Sequence, residues 1–299
     1  MRIVCLGEAL VDLVCERPAA GPADVDAFVP HFGGALANVA VQAARRGAEV
    51  AICGGVGDDP WGRWLADQLA AAGVDTTDFV LDPADRTPLA LVTVDGRGEP
   101  SYAIYGSTTG LGLVPAADRI APAISKAGLV LLSTNTLLGE TERRLTMGAR
   151  AQALAENKKV VVDANLRLNR WDDMGLLRRE ALALLEGAFL AKMNASEAEF
   201  LTGIADPVAA AEALRADVAR NVVITNGEHG AVLRGEGGIA REVAGIPAVV
   251  RNAAGAGDAV TGVLLAHLAA SGGYAPSLNV ALPDAMATAA AVVQQWGAV

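Results

Sequence analysis

The sequence has no excess of positive charge: 34 Asp and Glu against 24 Lys and Arg leave a formal net charge of −10 over 299 residues. Phosphate backbones require a positive field, so nucleic-acid binding is excluded as the main function, and anionic membrane surfaces are disfavoured for the same reason. A small anionic ligand remains open, because local backbone amides can hold one without help from net charge. Cysteine is scarce. Cys5, Cys15 and Cys53 are odd in number and lack CxxC spacing, which excludes a disulfide frame or zinc site and predicts reduced, buried thiols. No apolar run approaches the roughly 18 residues of a membrane span. The opening MRIVCLGEALVDLV is interrupted by Glu8 and Asp12, and has neither a basic start nor a small-residue cleavage site, so it does not read as a signal peptide. These absences predict a soluble cytoplasmic protein. Repeats, low-complexity tracts and linkers are also lacking. With 52% hydrophobic and 19% charged residues, 1–299 reads as one domain with a small appendage.

Two nucleotide signatures are missing as well. There is no Gly-Lys-Ser/Thr, which excludes a Walker loop by motif, and Gly55-Val-Gly57 continues to Pro60 where a dinucleotide fingerprint needs its third glycine. A nicotinamide-dependent dehydrogenase therefore loses its main support.

What is present is a rhythm. RIVCLGEALVDLV reads as a strand, ALANVAVQAARRG as a helix stopped by Gly47, and EVAICGGVG as a strand. Asp59 then caps a helix beginning at Pro60 and ending at Gly73. LVLLST, KVVVDAN, FLAKMN and NVVITNG follow, each a buried-strand pattern leading into helical sequence. Strands separated by helix-length segments imply right-handed crossovers, hence an α/β fold with a mostly parallel sheet flanked by helices on both faces. Two places break the rhythm. LALVTVD, GRG and EPSYAIYG predict a hairpin over 89–106, and 17–32 carries three prolines with no helical period. Together these form either a small sheet standing off the main one or an ordinary surface hairpin and loop. AVLRGEGGIAREV is a further hairpin candidate.

The chemistry-bearing stretch runs from Asn252 through Gly255, Ala256, Gly257 and Asp258 into a helix. The two glycines allow a tight turn and a close approach, and the helix aims unpaired N–H groups and its positive dipole end at that turn. That suits a phosphate; the plainer alternative for Asp258 is a helix cap. Gly33 and Gly34 precede a second helix carrying Asn38, and Asp12 follows the first strand. Taken singly, each is more often a turn, a helical polar residue or a solvated acid than a ligand contact.

In order and spacing these residues resemble the ribokinase-like (PfkB-type) sugar kinases along essentially the whole chain. Gly33-Gly34 with Asn38 is similar to the family's N-terminal signature, and GAGDAVTGVLLA to its C-terminal one. DANLRLNRW, from Asp163 to Trp171, resembles a block of bacterial fructokinases, and MNASEAEFLTG resembles the family's Asn-x-x-Glu block. The resemblance implies a ribokinase-like fold with a small β lid, from segments near 14–33 and 87–107. It implies Asp258 as catalytic base, with Gly255, Ala256 and Gly257 forming an anion hole. Asp12, Gly33, Gly34 and Asn38 match sugar-holding positions. Asn165 and Arg167 match the fructokinase block, Arg167 facing the phosphate or substrate, with a surface ion pair as its plainer alternative. Asn194, Thr225, Gly227 and Gly257 match nucleotide positions, and Glu197 the one that organises Mg²⁺ through water. The implied activity is transfer of the ATP γ-phosphate to a sugar hydroxyl, with fructose first. 2-Keto-3-deoxygluconate, a nucleoside such as adenosine or pseudouridine, and a non-catalytic sugar sensor are the alternatives. In relatives activated by K⁺ the position of Asn252 is usually Asp; an amide is the weaker ligand for a hard cation, which leaves K⁺ activation an open point. A homodimer through the lid is compatible with the resemblance. Tyr102 and Tyr105 can stack on a sugar or base, or simply place one ring inward and one outward.

Overall fold

The computed structural model describes residues 1–19, 21–106 and 112–299. Its strands are β1 (Ile3–Leu6), β2 (Leu10–Pro18), β3 (Val29–Gly33), β4 (Val50–Gly57), β5 (Phe79–Asp82), β6 (Leu89–Val94), β7 (Pro100–Tyr105), β8 (Leu129–Ser133), β9 (Lys159–Asp163), β10 (Leu190–Asn194), β11 (Asn221–Thr225), β12 (Ala231–Gly235) and β13 (Ala240–Val243). The helices are α1 (Ala35–Ala44), α2 (Pro60–Ala71), α3 (Ala117–Lys126), α4 (Glu140–Ala155), α5 (Met174–Leu185), α6 (Ala195–Thr202), α7 (Pro207–Asp217), α8 (Ala256–Ala270) and α9 (Ser277–Val292).

Nine strands form the main sheet in the order β13-β12-β11-β10-β9-β8-β1-β4-β5. Pairing is parallel from β11 through β5, and antiparallel where β12 and β13 make the terminal hairpin. Both faces are covered, as the uninterrupted apolar strands require. Side chains alternate: Ile3, Cys5, Leu129, Leu131 and Val161 join a core with α1, α2, α8 and α9, while Val4, Leu6, Val130, Leu132 and Val162 join one with α3 to α7. The three cysteines are buried and free. Asp59 caps α2 as expected, accepting from the Trp61 and Gly62 amides.

The first expected strand is two. The chain leaves the main sheet after β1 at Gly7, where a Cβ would meet Leu36 Cγ at 2.8 Å, and enters a second sheet at Leu10. One continuous apolar pattern spans both pieces, because both halves are buried, so periodicity alone does not reveal the break. The second sheet has the order β3-β2-β6-β7, which settles the open alternative for 17–32 and 89–106 in favour of a small sheet. It begins at Leu10, before the expected boundary at 14. Position 20 and the 107 boundary lie outside the described residues.

Candidate active site

Parallel strands deliver their C-terminal ends to one edge, the usual place for ligands in such sheets. Here Ser133, Asp163, Asn194 and Thr225 close β8, β9, β10 and β11 at that edge. The second sheet stands against it, and a cavity of about 1130 Å³ lies between them, lined by Asp12, Ala90 and Tyr102 on one side and Asp163, Asn194 and Thr225 on the other. The hairpin tip also touches the turn before α8, since Ala253 N donates to Gly98 O at 2.8 Å.

Asp258 sits in the first turn of α8, behind Gly255, whose φ of 78° is left-handed. A Cβ at Gly255 would lie 2.4 Å from Ala298 Cβ, so glycine is required for both conformation and space. Asp258 is no helix cap: its Oδ2 accepts from Asn38 Nδ2 at 2.8 Å, across 220 residues of sequence. Burial, then the charge of Asp163, pushes Asp258 up to about 6, against the pull of Asn38, Lys192 and Arg167. Asp12 faces the same cavity from β2 and rises to about 7, through burial and the charge of Asp258. Gly33 makes room for it, since a Cβ there would lie 2.4 Å from Asp12 Oδ2. Gly34 lines the cavity, and a Cβ there would lie 2.7 Å from Ala9 Cα.

Opposite signs follow for activity and stability. Were Asp258 to take a proton from a ligand it would have to be ionised, and any rate that depends on it would fall by about tenfold per pH unit below about pH 6. Stability runs the other way. Both carboxyls are more basic folded than their ordinary 3.8, so the unliganded protein is favoured below that value and loses this contribution as pH rises to about 7. Thermal unfolding across pH 4 to 8 checks this, and Asp12→Asn should flatten the decline; a Tm that rises over this range by the Asp12 contribution would contradict it.

Behind Asp258 lies a charge cluster that motif reading passes over. Lys192 Nζ stands 3.2 Å from Asp163 Oδ2, and both side chains are 6% exposed. Thr261 Oγ1 donates to the same oxygen at 2.6 Å, tying the pair to α8. Burial alone would lower the Lys192 pKa, but Asp163, Glu197 and Asp258 outweigh it, so the ammonium is held charged. A Cβ on Gly257 would come within 2.6 Å of Nζ, which puts a fixed cation directly against the expected anion turn. In sequence this lysine is one residue of the apolar FLAKMN strand, with nothing to mark it.

Asn165 and Arg167 lie in the loop after β9, with φ of 39° and 47°. Such values in non-glycine residues persist when neighbours over-determine them. Thr134 Oγ1 donates to the Ala164 and Asn165 carbonyls, and Leu166 N donates to Glu197 Oε1 at 2.8 Å. So held, Arg167 stacks its guanidinium over the Tyr102 ring at 5.1 Å and lines the cavity, and among the described residues it forms no ion pair. Tyr105 is 60% exposed, so the two tyrosines divide inward and outward. Glu197 forms a capping box with Asn194, each accepting the other's backbone N–H at 2.8 Å. Both Glu197 oxygens therefore hold backbone, and burial raises its pKa. Among the described residues, no group of three or more His, Cys, Asp or Glu is arranged to hold a metal ion by itself. Thr225 lines the cavity, while Gly227 is exposed in the turn that follows. The Asn252 amide is already used: Nδ2 donates to Trp296 O at 2.7 Å, and Oδ1 accepts from Ala254 N at 2.9 Å.

The model of the pfkB family carbohydrate kinases matches residues 1–299. A probable fructokinase-7 of Arabidopsis thaliana is 35% identical over 205 residues, covering 69% of this chain and 60% of that protein. The chain spans about 60% of the length of this relative and of the fructokinase-1 proteins of Oryza sativa subsp. japonica and Zea mays. A fructokinase of Klebsiella pneumoniae is 33% identical over 307 residues, covering 99% of this chain and 92% of that one. Among solved structures, a fructokinase double mutant of Vibrio cholerae O395 in a fructose-, ADP- and potassium-bound form has a TM-score of 0.84 and 28% identity, covering 99% and 93% of the two chains.

Proposed function

Because the chain belongs to the pfkB family of carbohydrate kinases, we propose that it is an ATP-dependent sugar kinase whose acceptor is fructose. The observation that carries this reading is the buried Asp258, held by Asn38 at the start of α8 and facing the same cavity as Asp12. Phosphoryl transfer has a loose transition state, so the protein mainly positions the reactants and neutralises charge. Asp12, Gly33, Gly34 and Asn38 hold the sugar, with Asn165 and Arg167 at its phosphate end. Asp258 accepts the hydroxyl proton as the new O–P bond forms and the bond from the γ-phosphorus to the bridging oxygen breaks, releasing ADP. The amides of Gly255 and Gly257, at the positive end of α8, meet the charge on the phosphoryl group, while Ala256 N donates to Ala253 O at 3.4 Å and shapes the turn. Asn194, Thr225 and Gly227 serve the nucleotide.

Mg²⁺ belongs to this reading as the ion that travels with the phosphates and keeps most of its waters, needing only one or two carboxylates from the protein. Glu197 suits that role through water, since it lines the cavity and its carboxylate is already oriented by two amides. The second sheet acts as a lid over the sugar, excluding water and so suppressing hydrolysis of ATP. Its edge strands β3 and β7 make it the natural face for a homodimer. Among the described residues, no helix is long and apolar enough to cross a membrane. A cytoplasmic location is part of the proposal, as the compartment that supplies ATP.

The test is ADP release with ATP and Mg²⁺ across fructose, ribose, 2-keto-3-deoxygluconate, pseudouridine and adenosine, with and without potassium. Fructose should give the strongest rate. Because Asn252 brings a neutral amide whose Oδ1 already accepts from the Ala254 amide, that rate should be the same without potassium. A dominant rate with either nucleoside would replace fructose as the acceptor, and ATP binding with silence on all five would favour a sugar sensor.

A further inference from the structure

Tyr102 and Arg167 both line the cavity, but they come from different sheets. Tyr102 stands on β7 of the second sheet, and its ring packs on that sheet's own core, with Leu10, Val14 and Val92. Arg167 stands in the loop after β9 of the main sheet. Its backbone is fixed through the residues before it, by the Thr134 hydroxyl and the Glu197 carboxylate. The guanidinium carbon lies 5.1 Å from the ring centroid. Each partner is therefore anchored by its own sheet, and they meet side chain on side chain.

Arg167 is otherwise unspent. Among the described residues its guanidinium donates no hydrogen bond and forms no ion pair, although Asp12 and Asp258 both lie near enough to feel its charge. A free guanidinium beside two carboxylates would ordinarily close on one of them in a charge-assisted, two-pronged bond. Stacking on an aromatic face competes with that pairing and uses no N–H, so all five donors stay available along the guanidinium edge. We propose that Tyr102 is a positioning residue, whose ring holds the Arg167 guanidinium off Asp12 and Asp258 and keeps it free for the phosphoryl group in transfer. The same contact occupies a face of the ring that would otherwise be open to a sugar or a base. The platform also belongs to the second sheet, so Arg167 has its support only while that sheet stands over the cavity.

This inference rests on the sugar-kinase reading, in which Arg167 stands at the phosphate end of the sugar. Its test is kcat and KM for fructose in Tyr102→Phe, Tyr102→Leu, Arg167→Met and Tyr102→Leu/Arg167→Met. Leu keeps apolar bulk against the core of the second sheet, so that sheet should stay folded, but it offers no π face. Tyr102→Leu should lower kcat by about 5- to 30-fold, the span of a cation–π contact from exposed to desolvated, with KM little changed. Tyr102→Phe keeps the ring and should recover most of that turnover. In the Arg167→Met background Tyr102→Leu should cost no further turnover, because the group it positions is gone. Three results overturn the inference and leave the sugar reading standing. Phe as damaging as Leu would show that the hydroxyl acts on the substrate. Equal losses from Tyr102→Leu in both backgrounds would show that the ring acts independently of Arg167. A raised KM with kcat retained would place the ring in sugar binding instead. Absence of fructose turnover in the unmodified protein overturns the sugar reading first, and the inference with it.

Discussion

Asp258→Asn is expected to lower kcat by about 10²–10⁴ while leaving ATP affinity nearly unchanged, the usual weight of a general base removed without a change of shape. The amide has the size of the carboxylate, and its oxygen can still accept from Asn38 Nδ2, so the geometry of the α8 turn is retained. What it loses is the ability to take a proton. The same substitution should raise the Tm of the unliganded protein at pH 8. Asp258 is buried beside Asp163 with its pKa pushed up to about 6, so ionising it at that pH costs stability that an amide does not. Turnover lost with Tm gained is a combination that misfolding cannot produce. Steady-state kinetics, nucleotide titration and thermal unfolding on one preparation check all three points. Near-unchanged turnover would remove Asp258 from the mechanism.

Lys192→Met should be the most damaging change behind the site, with about 3–5 kcal/mol of stability lost because Asp163 is left buried without its counter-ion. Turnover should fall by about 10²–10³ as well, since a fixed cation against the Gly257 turn disappears from where phosphate charge is met. The two effects separate in Asp163→Leu/Lys192→Met. Replacing both partners of a buried pair with apolar groups is often close to neutral, so most of the stability should return. Activity should not. Denaturant unfolding and kcat for the single and double variants are the measurements, and recovery of turnover in the double variant would show that Lys192 acts only on folding.

How far these residues are legible depends on whether they act through their neighbours in sequence. Gly255, Gly257 and Asp258 could be found because a glycine-rich helix start is a local device, complete within a few residues. Asn194 and Glu197 are local too, as their capping box shows. The hairpins over β6–β7 and β12–β13 and the cap at Asp59 follow from short-range turn and capping chemistry in the same way. The partnerships that build the site are long-range. Asn38 reaches Asp258, Thr261 reaches Asp163 and Asn135 reaches Glu8 only because the parallel strands end at one edge. Lys192 sits inside an apolar strand and Glu8 inside an apolar opening, where each looks like an interruption. Glu197 also holds the Leu166 amide, so one residue serves two loops, which no motif records. The break between β1 and β2 was illegible for a different reason. Both pieces are buried, and a strand changing sheets keeps the same apolar pattern.

The most direct test of the central claim is to follow ATP, Mg²⁺ and fructose with the protein by phosphorus NMR. The account predicts that the γ-phosphate resonance disappears in step with the growth of a sugar phosphomonoester, with little inorganic phosphate, and that Asp258→Asn slows this by the factor above. Inorganic phosphate as the main product, or a sugar phosphate formed at an unchanged rate without the Asp258 carboxylate, would contradict it.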